Sequence, residues 1–557
     1  MVGVSRLELL TSRSQSARAT NCAKPRLLVL YHGFRGSARC YNKDMGEFLS
    51  KRKRLICILA PTVFGIFYMF ISMFNLQQSV WQGESYGAYL THYNAAQIWE
   101  FTAETNQPPL YFWTLKVWAH LFGHTDFAMR FMSVFFGALA IMFAYMWVKY
   151  KYGARAAILS SLLLSISPVF IRYGQEMQAY TMATMFVFAG TYFLQLAIDN
   201  GQKRWWWIYA LIVALGMWTS YFTVFAWLAH VVYLTLIYGK KLLQNKVLWV
   251  FVGALLLFLP WLPKLFTQLS IRGANANIIS LQNMVDSWSE ILVYRGTAQI
   301  SGAILILVLI STLVLLSLIG HSIKKVRLLL CMILTPTILL ILLSLTPFGI
   351  AMTPQRCLYS VASVALIGGV TTIILTNERE QLLMKRRKKE KVCLCQKPNF
   401  VFASCSILFV LCSISGIFAL HELGNYNFET DSKYGIKQLY QDIVTADGSN
   451  KLPIIVNDPD LYYDLSFYDG NNNYSYILAE NIANYDGRYL PLKDTYFGKI
   501  VDLDKFLEKN KEVWYVGVVP AHGEIEFPRS GYRAQQIVTL GTDESGVAYE
   551  AVHFVPE

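Results

Sequence analysis

The 557 residues are 54% hydrophobic and only 15% charged, with a mean hydropathy of +0.36. A soluble domain carries about 25% charged residues, so one large soluble protein is excluded, and so is disorder over most of the length. The net charge of +13 would suit a nucleic-acid binder only if it lay on a folded soluble face, but it is split: residues 420–557 hold 11 Lys/Arg against 22 Asp/Glu, and residues 1–419 hold 38 against 14.

Residues 1–44 are basic and lack the apolar stretch of a signal peptide. The string SRLELLTSRSQSARATNCAKPR looks like translated non-coding sequence, so Met45 is the expected initiator and 1–44 an extension outside any domain. Eleven apolar runs long enough to cross a bilayer follow, at roughly 55–74, 127–148, 156–171, 178–198, 205–221, 223–238, 247–263, 301–320, 328–346, 357–376 and 399–419. Pro61, Pro168, Pro260 and Pro263 fall within or at the ends of these runs, where packing neighbours can satisfy the freed backbone groups. The stretch Pro109–Gly123 is too short and carries Lys116 and His120, which predicts a helix lying in the membrane interface. With that stretch outside the bilayer, alternate loops carry 23 Lys/Arg on one side and seven on the other. The positive-inside rule then places the N-terminus in the cytoplasm and the C-terminus outside. The loops 75–126 and 264–300 become the long outer loops, and 385–397 becomes a basic cytoplasmic loop beside anionic lipid.

The nine cysteines avoid the acidic tail, so no disulfide framework holds it, and the Cys393/Cys395 pair has no second pair with which to hold a metal. Residues 421–557 read as a small α/β domain. Helices are expected at 433–445, 460–468 and 503–509, and strands at 452–456, 474–478, 512–518, 535–540 and 547–555. No glycine-rich phosphate loop follows a strand. Asn473-Tyr474-Ser475 matches a glycosylation sequon.

Ionisable groups at membrane depth are costly and mark candidate sites. Three clusters fall on the expected outer side: Trp81-Gln82-Gly83-Glu84-Ser85-Tyr86, Arg172-Tyr173-Gly174-Gln175-Glu176 with Tyr180, and Thr353-Pro354-Gln355-Arg356. A carboxylate can take a proton from a hydroxyl, and arginine offers a planar fork for a phosphate. Each residue also has a plainer reading: Glu84 as a solvated loop acid, Glu176 as a helix-end partner of Arg172, and Arg356 and Lys116 as snorkelling cations.

The order of Glu84, Gln107-Pro108-Pro109-Leu110-Tyr111-Phe112, Leu121-Phe122-Gly123-His124-Thr125-Asp126-Phe127-Ala128-Met129-Arg130 and Ser167-Pro168 through Gln175-Glu176-Met177-Gln178-Ala179-Tyr180 resembles the family 39 membrane glycosyltransferases. That group includes protein O-mannosyltransferases and lipid A aminoarabinose transferases. The resemblance covers roughly 75–240 most closely and 241–420 less so. It implies a polytopic GT-C fold with about eleven spans, interfacial helices in the first outer loop and a C-terminal extracytoplasmic domain. It also implies a plasma-membrane enzyme that moves a sugar, with inversion, from a polyprenyl-phosphate donor to a hydroxyl of a protein, lipid or glycan. Nucleic acid has no part in it. Glu84 matches the second acid of the family's Asp-Glu pair and would supply the base. Gln175, Glu176, Tyr180, Arg172, Arg356 and Lys116 would contact substrate or donor phosphate. Gly83 replaces the usual first Asp, and Gln107 the usual His. The lost acid weakens any divalent-metal site and leaves open a non-catalytic homologue, while a lipid or glycan transporter would share the spans and the charge bias.

Overall fold

The computed structural model describes residues 59–74, 76–80, 82–104, 107–239, 248–271, 323–344, 354–387, 410–411, 413–414, 416–418, 436–456, 459–469, 476–479, 500–501, 503–519, 525, 527–540 and 548–557. The extension 1–44, the expected span 301–320, most of 399–419, Cys393, Cys395 and Asn473 lie outside them. The chain divides into two compact units, Met1–Val63 and Phe64–Glu557. Of the first, residues 59–63 are described, at the start of the apolar helix α1 (Leu59–Ser72).

Three short helices, α2 (Gln82–Leu90), α3 (Ala95–Glu104) and α4 (Leu110–Phe122), precede the long α5 (Asp126–Tyr152). Next come α6 (Ala154–Ser165), α7 (Pro168–Gly174), α8 (Tyr180–Asn200), α9 (Lys203–Thr219), α10 (Thr223–Tyr238), α11 (Leu248–Phe258), α12 (Leu262–Ile271), α13 (Ile323–Ser344) and α14 (Leu358–Arg387). Among the described residues, four helices are long and apolar enough to cross a membrane, and a fifth span arises if the bent pair α6–α7 counts as one. Their lateral faces leave large apolar side chains such as Leu256, Ile338 and Leu342 exposed, as expected where lipid replaces water.

Sequence periodicity gave one run at 156–171, but the chain bends by 61° between α6 and α7. Pro168 has no N–H to continue the α6 ladder, and Ser167 before it is extended (φ −69°, ψ 116°). The bend turns Arg172 into the protein interior. Gly174 stands at its end, where a Cβ would run into the hydroxyl of the buried Tyr68. Helix α4 has 13 residues, about 20 Å at 1.5 Å per residue, against roughly 30 Å of hydrocarbon. It buries Tyr111, Phe112, Leu115 and Ala119 and ends at Gly123, whose φ of 93° suits glycine.

The C-terminal residues form a mixed six-stranded sheet ordered β3-β2-β1-β4-β6-β5. Its strands are β1 (Ile454–Val456), β2 (Tyr476–Ala479), β3 (Ile500–Val501), β4 (Val513–Val519), β5 (Tyr532–Leu540) and β6 (Ala548–Pro556), with helices α15 (Ile436–Asp447), α16 (Pro459–Tyr468) and α17 (Leu503–Lys509). The β1, β2, β3 and β4 pairings are parallel, and β6 runs antiparallel to β4 and β5. The two-residue β3 is too short to leave a sequence signal. This unit is not a bead on a tether. Ile454, Trp514 and Val516 of the sheet belong to the same buried cluster as Leu90, Tyr111 and Met129 of the helices.

Helices α6 and α14 approach closely through Gly369. A Cβ there would meet the Ser160 backbone nitrogen at 2.5 Å and its Cα at 2.6 Å, and backbone cannot rotate away. Gly369→Ala should therefore cost about 1–3 kcal/mol, read as a lower midpoint of thermal unfolding in detergent. Gly253→Ala, whose Cβ would meet nothing within 4 Å, should not lower it. Equal behaviour of the two variants would contradict this packing.

Candidate functional site

Helix α2 starts at Gln82, so Glu84 sits in its first turn, where the helix dipole favours an acid. Glu84 is fully buried. Arg130, on α5, reaches it with two hydrogen bonds, Nε to Oε1 at 2.9 Å and Nη2 to Oε2 at 2.6 Å. The remaining guanidinium donors reach the carbonyls of Leu76 (2.9 Å), Gln78 (2.6 Å) and Ser79 (2.9 Å), so all five N–H groups are used. The Met177 amide also donates to Glu84 Oε1, at 2.8 Å.

The segment after the α7 bend grips the same loop. Gln175 Nε2 donates to the carbonyls of Ser72 and Phe74, and Gln178 Nε2 to that of Gly83. Gln107 Nε2 reaches Gln178 Oε1 at 3.4 Å. Glu176 pairs with Arg172 across one helical turn, each side chain 4% exposed. Arg172 also lies over the Tyr173 ring, which packs edge-on against Tyr180. Tyr111, buried beside this group, has its phenol held well above the usual range, first by burial, with the charges of Glu84 and Glu176 adding. Glu84, Gln175, Glu176, Arg172 and Tyr180 are thus gathered at one end of the bundle.

Arg356 comes to that end in the turn Pro354–Cys357, over the Phe222 ring at 5.6 Å. Lys116 points elsewhere, its amine donating to the Thr91 carbonyl at 2.7 Å beside the stacked rings of His92 and His124. Among the described residues no group of three or more His, Cys, Asp or Glu could hold a metal ion. Four participants escaped the sequence reading as site residues: Arg130, Tyr111, Gln178 and Lys437. Arg130 carried a usable signal, an ionisable residue within an apolar run. Lys437 carried none. It comes from the C-terminal sheet unit, where its Nζ meets Asp126 Oδ2 at 2.6 Å and the Gln77 carbonyl at 3.0 Å. The same unit supplies Tyr468, whose hydroxyl accepts from the Val80 amide at 2.6 Å.

Residues 106–263 match the family model of dolichyl-phosphate-mannose-protein mannosyltransferases. The apo structure of ArnT from Cupriavidus metallidurans superposes with a TM-score of 0.54 at 11% identity, covering 90% of this chain and 98% of that one. The fold is GT-C-like. A second ArnT structure, bound to undecaprenyl phosphate, gives 0.49 at 13% identity over 89% and 97% of the two chains. The archaeal oligosaccharyltransferase AglB from Archaeoglobus fulgidus, in complex with an inhibitory peptide and a dolichol-phosphate, gives 0.46 at 11% over 83% and 69%. No curated protein matches the chain in sequence.

His92 provides a pH test. Its imidazole is lowered to about 4 by partial desolvation, then by His124 and Lys116, although its edge remains open to solvent. The folded-state value lies below the ordinary 6.5. The imidazole therefore contributes stability above pH 6.5, and this is lost as pH falls toward 4. The unfolding midpoint of the wild type should fall more steeply over that window than that of His92→Gln; parallel curves would contradict the assignment.

Proposed function

We propose that the protein transfers a sugar from a polyprenyl-phosphate donor to an acceptor hydroxyl at the extracytoplasmic face of the cell membrane, with inversion. The supporting observation is the gathering of two carboxylates, Glu84 and Glu176, and two guanidinium groups, Arg130 and Arg172, at one end of an apolar helix bundle. The family description matched by residues 106–263 supports the donor class. In the reaction, the acceptor oxygen attacks the anomeric carbon from the face opposite the phosphate. The anomeric C–O bond breaks, polyprenyl phosphate leaves with the bond electrons, and a carboxylate takes the hydroxyl proton.

The family resemblance of the sequence implied Glu84 as that carboxylate. Both of its oxygens already accept from Arg130, and Oε1 also accepts from Met177, so we assign it the positioning role. Proton acceptance then falls to Glu176. Its partner Arg172 turns to the donor phosphate, as a guanidinium does for a bidentate oxyanion, and releases the carboxylate. Arg356 and Tyr180 complete the donor and acceptor contacts. Electrostatic stabilisation of the leaving phosphate is the main demand on the site. Gly83 favours a second reading, a homologue that binds the donor without turnover.

Purified protein incubated with labelled polyprenyl-phosphate hexose or pentose and membrane acceptors should transfer label. Glu176→Gln should slow transfer by about 10²–10⁴-fold with little change in donor KM, and Arg172→Ala should raise donor KM. Full turnover in Glu176→Gln would remove that residue as base. Saturable donor binding with no transfer by the wild type would establish the non-catalytic reading.

A further inference from the structure

A second cationic group lies away from the Glu84 cluster. Lys116 and His120 sit one turn apart on α4, and the rings of His92 and His124 stack beside them, 5.1 Å between centroids with planes 13° apart. Thr91 joins the parts. Its carbonyl accepts a hydrogen bond from the Lys116 amine, and its hydroxyl donates to the Ala88 carbonyl at 2.6 Å while lying 3.4 Å from His124 Nδ1. One of the three Lys116 donors is used by Thr91, and among the described residues no carboxylate forms an ion pair with this lysine. Both neighbouring histidines are shifted toward the neutral form, first by partial burial and then by neighbouring basic groups, Lys116 among them.

The adjoining stripe of the same helix is apolar and open: Val117, Leu121 and Phe122 are 61%, 67% and 59% exposed. An exposed apolar stripe beside a cationic one, on a helix too short to span, is the footprint of a helix lying at a lipid headgroup level. Neutral lipid would satisfy the stripe but leave the charge unanswered.

We infer that α4 carries a phosphate-headgroup site for a resident anionic lipid, with Lys116, His92 and His124 on the phosphate and Val117, Leu121 and Phe122 along the chains. This site is separate from the residues assigned to sugar transfer and does not depend on that reaction. Phosphate on a free anion or on a polyprenyl carrier presents the same chemistry, so the experiment distinguishes them.

The full chain is reconstituted in nanodiscs of phosphatidylcholine with increasing phosphatidylglycerol, and the unfolding midpoint is followed together with retained lipid by native mass spectrometry. Phosphatidylglycerol should raise the midpoint to saturation with a lipid retained. Lys116→Met should abolish most of the increment and the retention, Lys116→Arg should keep both, and a His92→Gln/His124→Gln variant should weaken them. An undiminished increment in Lys116→Met would overturn the site. An equal increment from inorganic phosphate in pure phosphatidylcholine discs would reassign it to a free anion. Saturation by polyprenyl phosphate well below the phosphatidylglycerol requirement would reassign it to the carrier lipid.

Discussion

The ion pair between Glu84 and Arg130, both fully buried, is the constraint on which the assembled end of the bundle depends. A buried pair holds only when each charge also has its hydrogen bonds. Here the guanidinium spends two donors on one carboxylate and three on the carbonyls of Leu76, Gln78 and Ser79. The loop after α1 is thereby shaped around one side chain of α5. Truncating Arg130 would leave the buried Glu84 carboxylate without its countercharge and three carbonyls without the guanidinium donors, a loss of about 3–5 kcal/mol for the charge alone.

Other parts of the chain lean on that loop from opposite directions. The Gln175–Gln178 segment, delivered by the proline bend, holds it through Ser72, Phe74, Gly83 and Glu84. The C-terminal unit holds it through the Ser79 hydroxyl, which accepts from the Lys437 amide, and through Gln77 and Val80. A ring cluster joins the same two parts, Tyr86 and Tyr89 of α2 meeting Tyr462 and Tyr463 of α16. Edge-to-face aromatic pairs of this kind add about 0.5–1.5 kcal/mol each beyond their burial. A change in the C-terminal unit would therefore be felt at Glu84, and through Met177 at its neighbour Glu176.

Much of this was legible beforehand, for reasons that can be named. Long apolar runs declare helices whatever their partners, so α5, α8, α9 and α10 fell close to their expected places. Pro108-Pro109 announced the start of α4. Alternating apolar residues marked β4 and β6. The bend between α6 and α7 was hidden because both halves are equally apolar, and hydropathy does not register direction. The occupation of Glu84 was hidden for a different reason. Its partner lies 46 positions away, and Arg130 read as one more charge in a loop tally. The reach of Lys437 across more than 300 positions to Asp126 leaves no local trace at all.

The central claim is energetic coupling between Glu84 and Arg130, and a double-mutant cycle measures it directly. Unfolding free energies in detergent would be compared for the wild type, Glu84→Gln, Arg130→Met and the double variant. Non-interacting sites add to within about 0.5 kcal/mol. The structure predicts that each single change is strongly destabilising, that the double variant costs little more than Arg130→Met alone, and that the coupling energy exceeds that margin several-fold. Additive losses would show that the two side chains act independently and would contradict the account.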